Sequence, residues 1–204
     1  MQVISERPRS ATAVARRCQI IEATIVTIAE VGYQRTSFVE IARRAGLSST
    51  RLISYHFTDR AELMAEAASR VISELGSAVE ACVRAAASPA AAVRSYIEAN
   101  VEYMDRHRAQ MTALTSLLSA GALRVSPRQS SAGIDALTSI IDEGRRTGQF
   151  RDVDPGIAAT IVQRAVEGVP LHLRNHPGAD LTGHAQELVR FFDAALLARP
   201  PKGL

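Results

Sequence analysis

Apolar residues recur along this chain at helical intervals from Val14 onward, and no segment sustains the two-residue alternation of a strand, apart from a brief ambiguity at Phe150–Val153. Val14, Cys18, Ile21, Ile25 and Ile28 follow one another by four, three, four and three, one stripe of a first helix that Gly32 ends. Ser37 and Glu40 stand in the S-x-x-E spacing of a capping box. They open a short helix with Phe38, Ile41, Ala42 and Ala45 on one face and Arg43 and Arg44 on the other, closed by Gly46. Ser48 is the expected cap of a third short helix reaching about His56. Asp59 and Glu62 then open a much longer helix, to about Ala87, whose stripe contains Leu63, Ala67, Val71, Leu75 and Cys82 and which Gly76 is expected to bend.

The second half of the chain repeats one device. Ser88-Pro89, Ser126-Pro127 and Asp154-Pro155 each place a capping side chain before a proline, which is tolerated at the first helical position because its missing N–H has no helical partner there. Helices are expected near 88–105, 107–120, 127–147, 155–174 and 180–198, with Asn175-His176-Pro177-Gly178 as a break. The pattern therefore predicts an all-α chain of about nine helices. Residues 1–11 form a mobile basic arm, residues 12–60 a three-helix domain, and residues 61–204 a larger helical domain.

Composition changes this picture little. Hydrophobic residues are 47% of the 204, aromatics only 4%, and tryptophan is absent, so the cores must be built from small and aliphatic side chains. Lys202 is the only lysine among 24 basic residues, a bias that reflects genome composition more than function. Distribution says more than the net charge of +3: residues 1–60 hold nine arginines against five acids, so the N-terminal third is the basic end, as phosphate binding requires. A solvated surface with a chance excess explains the same charges equally well. Cys18 and Cys82 read as small buried hydrophobes in a reducing compartment. With no apolar signal sequence and no membrane-length apolar run, the chain is expected to be cytoplasmic.

Two short helices joined by Ala45-Gly46-Leu47-Ser48 make a helix-turn-helix candidate. Its second helix would enter the major groove of double-stranded DNA with Ser48, Ser49, Thr50 and Arg51 at the base edges, Arg51 being able to grip a guanine through two hydrogen bonds. Candidate phosphate contacts surround them: Thr36, Ser37, Arg43, Arg44, Tyr55, His56 and Arg60. A glycine turn between short helices also occurs in plain helical bundles.

The stretch from Ile20 to Leu63 resembles the DNA-binding domain of the TetR family. The resemblance is carried by Gly32-Tyr33, Thr36-Ser37, Ile41-Ala42, Ala45-Gly46-Leu47-Ser48, Tyr55-His56-Phe57 and Asp59-Arg60 with Glu62-Leu63. The recognition helix departs from the usual pattern: Thr50 or Arg51 stands where a glycine is common, Ile53-Ser54 where an aromatic is common, and Arg60 replaces a lysine. Asp142-Glu143-Gly144, Gly148 to Pro155 and Glu167-Gly168 resemble the frame of TetR-type ligand domains.

This resemblance implies a transcriptional regulator, not an enzyme: a homodimeric repressor released from a palindromic operator by an unidentified small-molecule effector. The last helices would pair with those of a second subunit through Ile161, Ala165, Leu188, Val189, Phe192 and Leu196; packing into the chain's own core is the alternative. An effector pocket among the middle helices would be lined by Tyr96, Tyr103, Met104, His107, Met111, Leu114, Leu118, Phe150 and Gln163, each of which ordinary packing or exposure also explains.

His172 and His176, four apart with Asp180 and His184 nearby, have metal-ligand spacing, but Pro170 and Pro177 interrupt the helix and no accompanying glutamate motif is present, so no metal and no cofactor is assigned. No phosphate-binding glycine loop, nucleophile elbow or carboxylate pair argues for catalysis. The alternative function is a helical ligand-binding or interaction module that has lost DNA binding.

Overall fold

A computed structural model describes residues 11–123 and 127–198. Residues 1–10 of the expected N-terminal arm, the Ser126 cap and Lys202 lie outside them, whereas Ala11 already belongs to the first helix. The described residues form ten α-helices and one 3-10 turn: α1 (Ala11–Val31), η1 (Tyr33–Arg35), α2 (Phe38–Arg44), α3 (Arg51–His56), α4 (Arg60–Arg84), α5 (Pro89–Arg106), α6 (Arg108–Ser119), α7 (Pro127–Arg146), α8 (Pro155–Glu167), α9 (Val169–Asn175) and α10 (Leu181–Leu196). The helix expected over 155–174 is divided at Gly168, with Pro170 in the first turn of α9, where a proline costs no helical hydrogen bond. The ambiguity at Phe150 resolves into a single antiparallel bridge to Leu197.

Local capping explains most helix starts. Ser88 Oγ accepts from the Ala91 N–H at 3.2 Å, Asp154 Oδ1 from that of Ile157 at 2.8 Å, and Asp180 Oδ1 from those of Thr182 and Gly183 at 3.0 and 3.1 Å. Each satisfies donors that the first turn leaves orphaned.

The chain divides into two compact units. The first runs to Val71 and includes Thr112–Leu123; the second comprises Ile72–Met111 and the residues from Arg124 onward. This division differs from the expected boundary after residue 60 because the first half of α4 buries Leu63, Met64, Ala67, Ala68 and Val71 in the first unit. In that unit α1 packs on η1, α2 and α3. Its core consists of Ile20, Ile21, Ile25 and Ile28 of α1 with Ile41, Ala42, Ala45, Ile53 and Phe57. Thr24 and Thr27 are buried among them, their hydroxyls donating to the carbonyls of Ile20 and Ala23. In the second unit α7 packs on α8, and α5 packs on α10 and α7.

Two apolar assignments need correction. Val14, placed in the buried stripe of α1, is 49% exposed, because burial on this helix begins only at Ile20. Cys82 is exposed and Cys18 half-buried, since Val79 is the last buried residue of α4.

Candidate nucleic-acid interface

The turn between α2 and α3 is built around Gly46. Its φ of +62° lies in the left-handed region that residues with a Cβ rarely enter, and it lets the chain reverse while the Leu47 N–H donates to the Ala42 carbonyl at 2.9 Å. Ser37 caps α2 by accepting from the Glu40 N–H at 3.2 Å. The reciprocal half of the box is absent, because the Glu40 carboxylate is bound to Arg43. At α3 the expected Ser48 cap is corrected: the helix starts at Arg51 with Thr50 at the N-cap position and no side-chain cap bond, and Ser49 Oγ accepts from the Arg51 N–H at 3.1 Å.

The inner face of α3 is fixed by Ile53 and Phe57, both almost fully buried. Its outer face therefore presents Arg51, Ser54 and Tyr55, the last 81% exposed, with Ser48 and Ser49 exposed just before it and Thr50 half-buried. The Arg51 guanidinium has no hydrogen-bond or carboxylate partner among the described residues.

Other predicted contacts are engaged internally. Thr36 is corrected: it is 4% exposed and its hydroxyl donates to the Gly32 carbonyl at 2.9 Å, so the side chain is a structural element. Arg44 makes a two-pronged pair with Glu30, one bond at 2.8 Å, and Arg43 pairs with Glu40. Arg60 donates to the Tyr33 carbonyl at 2.6 Å and lies over the Tyr33 ring. His56 is half-buried with its ring edge-on to Tyr55. Ser37 remains exposed. Arg17, Arg43 and Arg44 are thus paired with carboxylates, while Arg16, Arg35, Arg51 and Arg60 meet none among the described residues.

Sequence reasoning missed Arg17. This residue of α1 bonds the His56 carbonyl, the Glu62 carboxylate at 2.8 Å and Glu66 at 3.2 Å, and lies over the Phe57 ring. Glu62 also accepts from the Thr58 N–H and hydroxyl at 2.7 and 2.8 Å. These bonds, led by that from Arg17, hold its carboxyl down at about 2. The end of α3 is thereby fastened to α1 and to the first turn of α4.

In the second unit the expected pocket residues do not converge as one group. Tyr96 is buried, and its hydroxyl donates to Gln163, whose amide donates to Glu167 at 2.7 Å. Burial, reinforced by the Glu167 charge, pushes the Tyr96 phenol up to about 12. Asn100, Glu167 and Gly133 border this network and were not foreseen; the Asn100 amide donates to the Tyr96 carbonyl at 2.7 Å. Tyr103 stacks on His107 with ring centres 4.1 Å apart and bonds Glu74 at 3.4 Å, with Met104 and Met111 buried. Phe150 is corrected to a packing role: its ring covers Gly144, where a Cβ would overlap it. Leu114 and Leu118 belong to the first unit, and Leu118 is 46% exposed, which removes it from the pocket set.

The expected pairing face shifts likewise. Phe192 and Leu196 are buried within the chain and serve its own core. Ile161 is 52% exposed, Ala165, Leu188 and Val189 are half-buried, and Ile157 of α8 and Phe191 of α10 are exposed as well, the latter 65%. The rings of His172, His176 and His184 form a stack with centres 4.7 and 5.1 Å apart, face to face, so their in-plane lone pairs do not converge. Among the described residues no group of three or more such side chains is arranged to hold a metal ion, and no helix is long and apolar enough to cross a membrane.

Two short helices around a left-handed glycine, with an exposed arginine on the outer face of the second, define a helix-turn-helix protein. Residues 20–67 match the model of bacterial regulatory proteins of the tetR family. The HTH-type transcriptional regulator BetI of Pectobacterium carotovorum is 37% identical over 98 residues, 47% of this chain and 50% of that one. The chain spans about half the length of the curated relatives it matches. Over most of its length it superposes on a protein solved in work on the control of antibiotic production by bacterial hormones, with a TM-score of 0.78, 25% identity, and coverage of 93% of this chain and 100% of that one. A transcriptional regulator of Saccharomonospora viridis in complex with choline gives 0.75 at 21% identity, covering 91% and 100% of the two chains. The N-terminal region of the chain is thus similar to the DNA-binding region of the tetR family, whose model it matches over residues 20–67.

Proposed function

We propose that this chain is a sequence-specific DNA-binding transcriptional regulator of the bacterial cytoplasm, a homodimeric repressor released from a palindromic operator by a small molecule, and not an enzyme. The observation that carries this reading is the outer face of α3. Ser48, Arg51 and Tyr55 stand exposed over a buried anchor of Ile53 and Phe57, and the Arg51 guanidinium is unpaired within the described residues. A free guanidinium on a short, rigidly seated helix is suited to two-pronged recognition of guanine in the major groove.

The exposed apolar side chains of Ile157 and Ile161 on α8 and of Phe191 on α10 support pairing of two chains, which would present two copies of α3 to two half-sites. The Tyr96–Gln163–Glu167 network and the Tyr103–His107 stack support an effector site in the second unit. An effector weakens DNA binding only by as much as it prefers the arrangement that spaces the two recognition helices wrongly.

Selection from a random duplex library tests the reading. The expected product is an inverted repeat whose half-sites lie about one helical turn, or a multiple of it, apart. Failure to enrich any sequence, with the protein folded, would favour a ligand-binding module without a DNA role.

A further inference from the structure

Three of the chain's five histidines stand in one row within the second unit. His172 of α9 is the middle ring. Its centre lies 4.7 Å from that of His176, just past the end of the same helix, and 5.1 Å from that of His184 in α10, with interplanar angles of 29° and 30°. His172 and His176 share a face because four residues make about one helical turn. His184 meets them across the turn that joins α9 to α10. The same turn is also held by Arg108 of α6, which donates to the Pro177 carbonyl at 2.7 Å and to that of Ala179 at 3.4 Å.

Among the described residues no carboxylate bonds any of the three rings, and the acids on the surrounding elements are engaged elsewhere. On α5, Glu98 lies beside Arg94, Glu102 pairs with Arg106 and Asp105 with Arg108. On α8, Glu167 pairs with Arg164. Asp180 commits a carboxylate oxygen to the first N–H groups of α10, and Glu187 pairs with Arg190. Of the cations, Arg108 lies on the turn itself, whereas Arg174 stands two residues from each of His172 and His176 and so on the other side of α9. Burial first, and then the neighbouring His172, hold the His184 ring below the ordinary imidazole value.

We propose that the row of His172, His176 and His184 is a pH-sensitive latch on the turn between α9 and α10, closed while the rings are neutral and released as they gather protons. The latch needs neither DNA nor a second chain. Neutral rings stack, whereas imidazolium ions at these separations repel one another, and the Arg108 cation on the same turn adds like charge. The open turn leaves His184 in water, where it takes its proton at the ordinary 6.5, and the closed row resists that proton. The closed form therefore holds its full advantage above 6.5 and loses it as pH falls below. Release is local, because Arg94 still holds Asp193, and Phe192 and Leu196 stay buried at the far end of α10.

The test is hydrogen exchange of the full chain from about pH 7.5 to about pH 5.5, expressed as protection factors, beside NMR titration of the His184 ring. Protection at residues 176–184 should fall at least about tenfold, the change that one linked proton produces over one pH unit. Residues 189–196 of the same helix should change less than about twofold over the range, because they open separately. H172F keeps a flat middle ring that takes no proton, and its protection at 176–184 should stay at the neutral level throughout. H172Q removes both ring and charge: protection should be lower already at neutral pH, with no further fall, and the His184 titration should move up toward its ordinary value. A wild-type fall that is absent, or equally large at 189–196, overturns the latch. So does a fall that persists in both variants. Should neither His172 variant fold, H176F at the exposed end of the row decides: it must shrink the fall, and an undiminished fall overturns the proposal.

Discussion

The Arg17 guanidinium of α1 and the Glu62 carboxylate in the first turn of α4 lie 2.8 Å apart, joining residues on either side of the helix-turn-helix. The same arginine bonds the last carbonyl of α3 and covers Phe57, so one side chain fixes both the end of the recognition helix and the helix that follows. Removing the Glu62 charge should lower stability by about 1 kcal/mol, a value discounted from that of a charged hydrogen bond because the side chain is 30% exposed. The pH dependence has a defined sign. Glu62 binds its proton less readily in the folded chain, at about 2 against an ordinary 4.5, so its contribution is full above 4.5 and is lost as pH falls toward 2. Denaturant unfolding of wild type and E62Q should show a gap at neutral pH that closes below pH 4.5.

Arg51 carries the sequence discrimination in this account. R51A should lose about 1–3 kcal/mol of preference for the selected duplex over one altered at the contacted base pair. Its thermal stability should stay within about 0.5 kcal/mol of wild type, because the side chain is exposed and bonded to nothing described. Competition binding with the two duplexes checks the first expectation and calorimetry the second.

Gly144 is required by the ring that lies on it. A methyl group there would overlap Phe150, and both residues are buried at the end of α7, where the chain turns through Gly148. G144A should destabilise the protein by about 1–3 kcal/mol, the usual range for overpacking. The urea midpoint should fall with the slope unchanged.

The exposed apolar side chains of α8 and α10 should hold two chains together. An aspartate at Ile161 or Phe191 would bury an unpaired charge in that interface and should weaken dimerisation by at least about thirtyfold, the effect of losing an interface anchor. Sedimentation velocity should show a folded monomer at concentrations where wild type is dimeric. The same aspartate at Phe192 should unfold the chain instead, because that side chain is buried within one protomer.

Features written in neighbouring residues were legible in the sequence. Ser37, Ser88 and Asp154 cap helices because their partners lie three residues away, and Gly46 marks its turn by the backbone it alone tolerates. The face of a wide stripe that is covered depends on tertiary partners, so Val14, Cys82, Phe192 and Leu196 were placed on the wrong side. Charge partners separated along the chain were invisible for the same reason. Nothing near Arg44 points to Glu30. The expected domain boundary at residue 60 followed a capping signal, whereas the compact unit follows the buried face of α4 to Val71.

The most direct test of the central claim is fluorescence anisotropy of a labelled selected duplex beside a scrambled one, at two salt concentrations. Tight binding to the selected duplex alone, with affinity falling steeply between about 50 and 200 mM salt as counterions are released from phosphate, is the predicted result. Equal, weak binding to both duplexes by a protein shown to be folded and dimeric would contradict it.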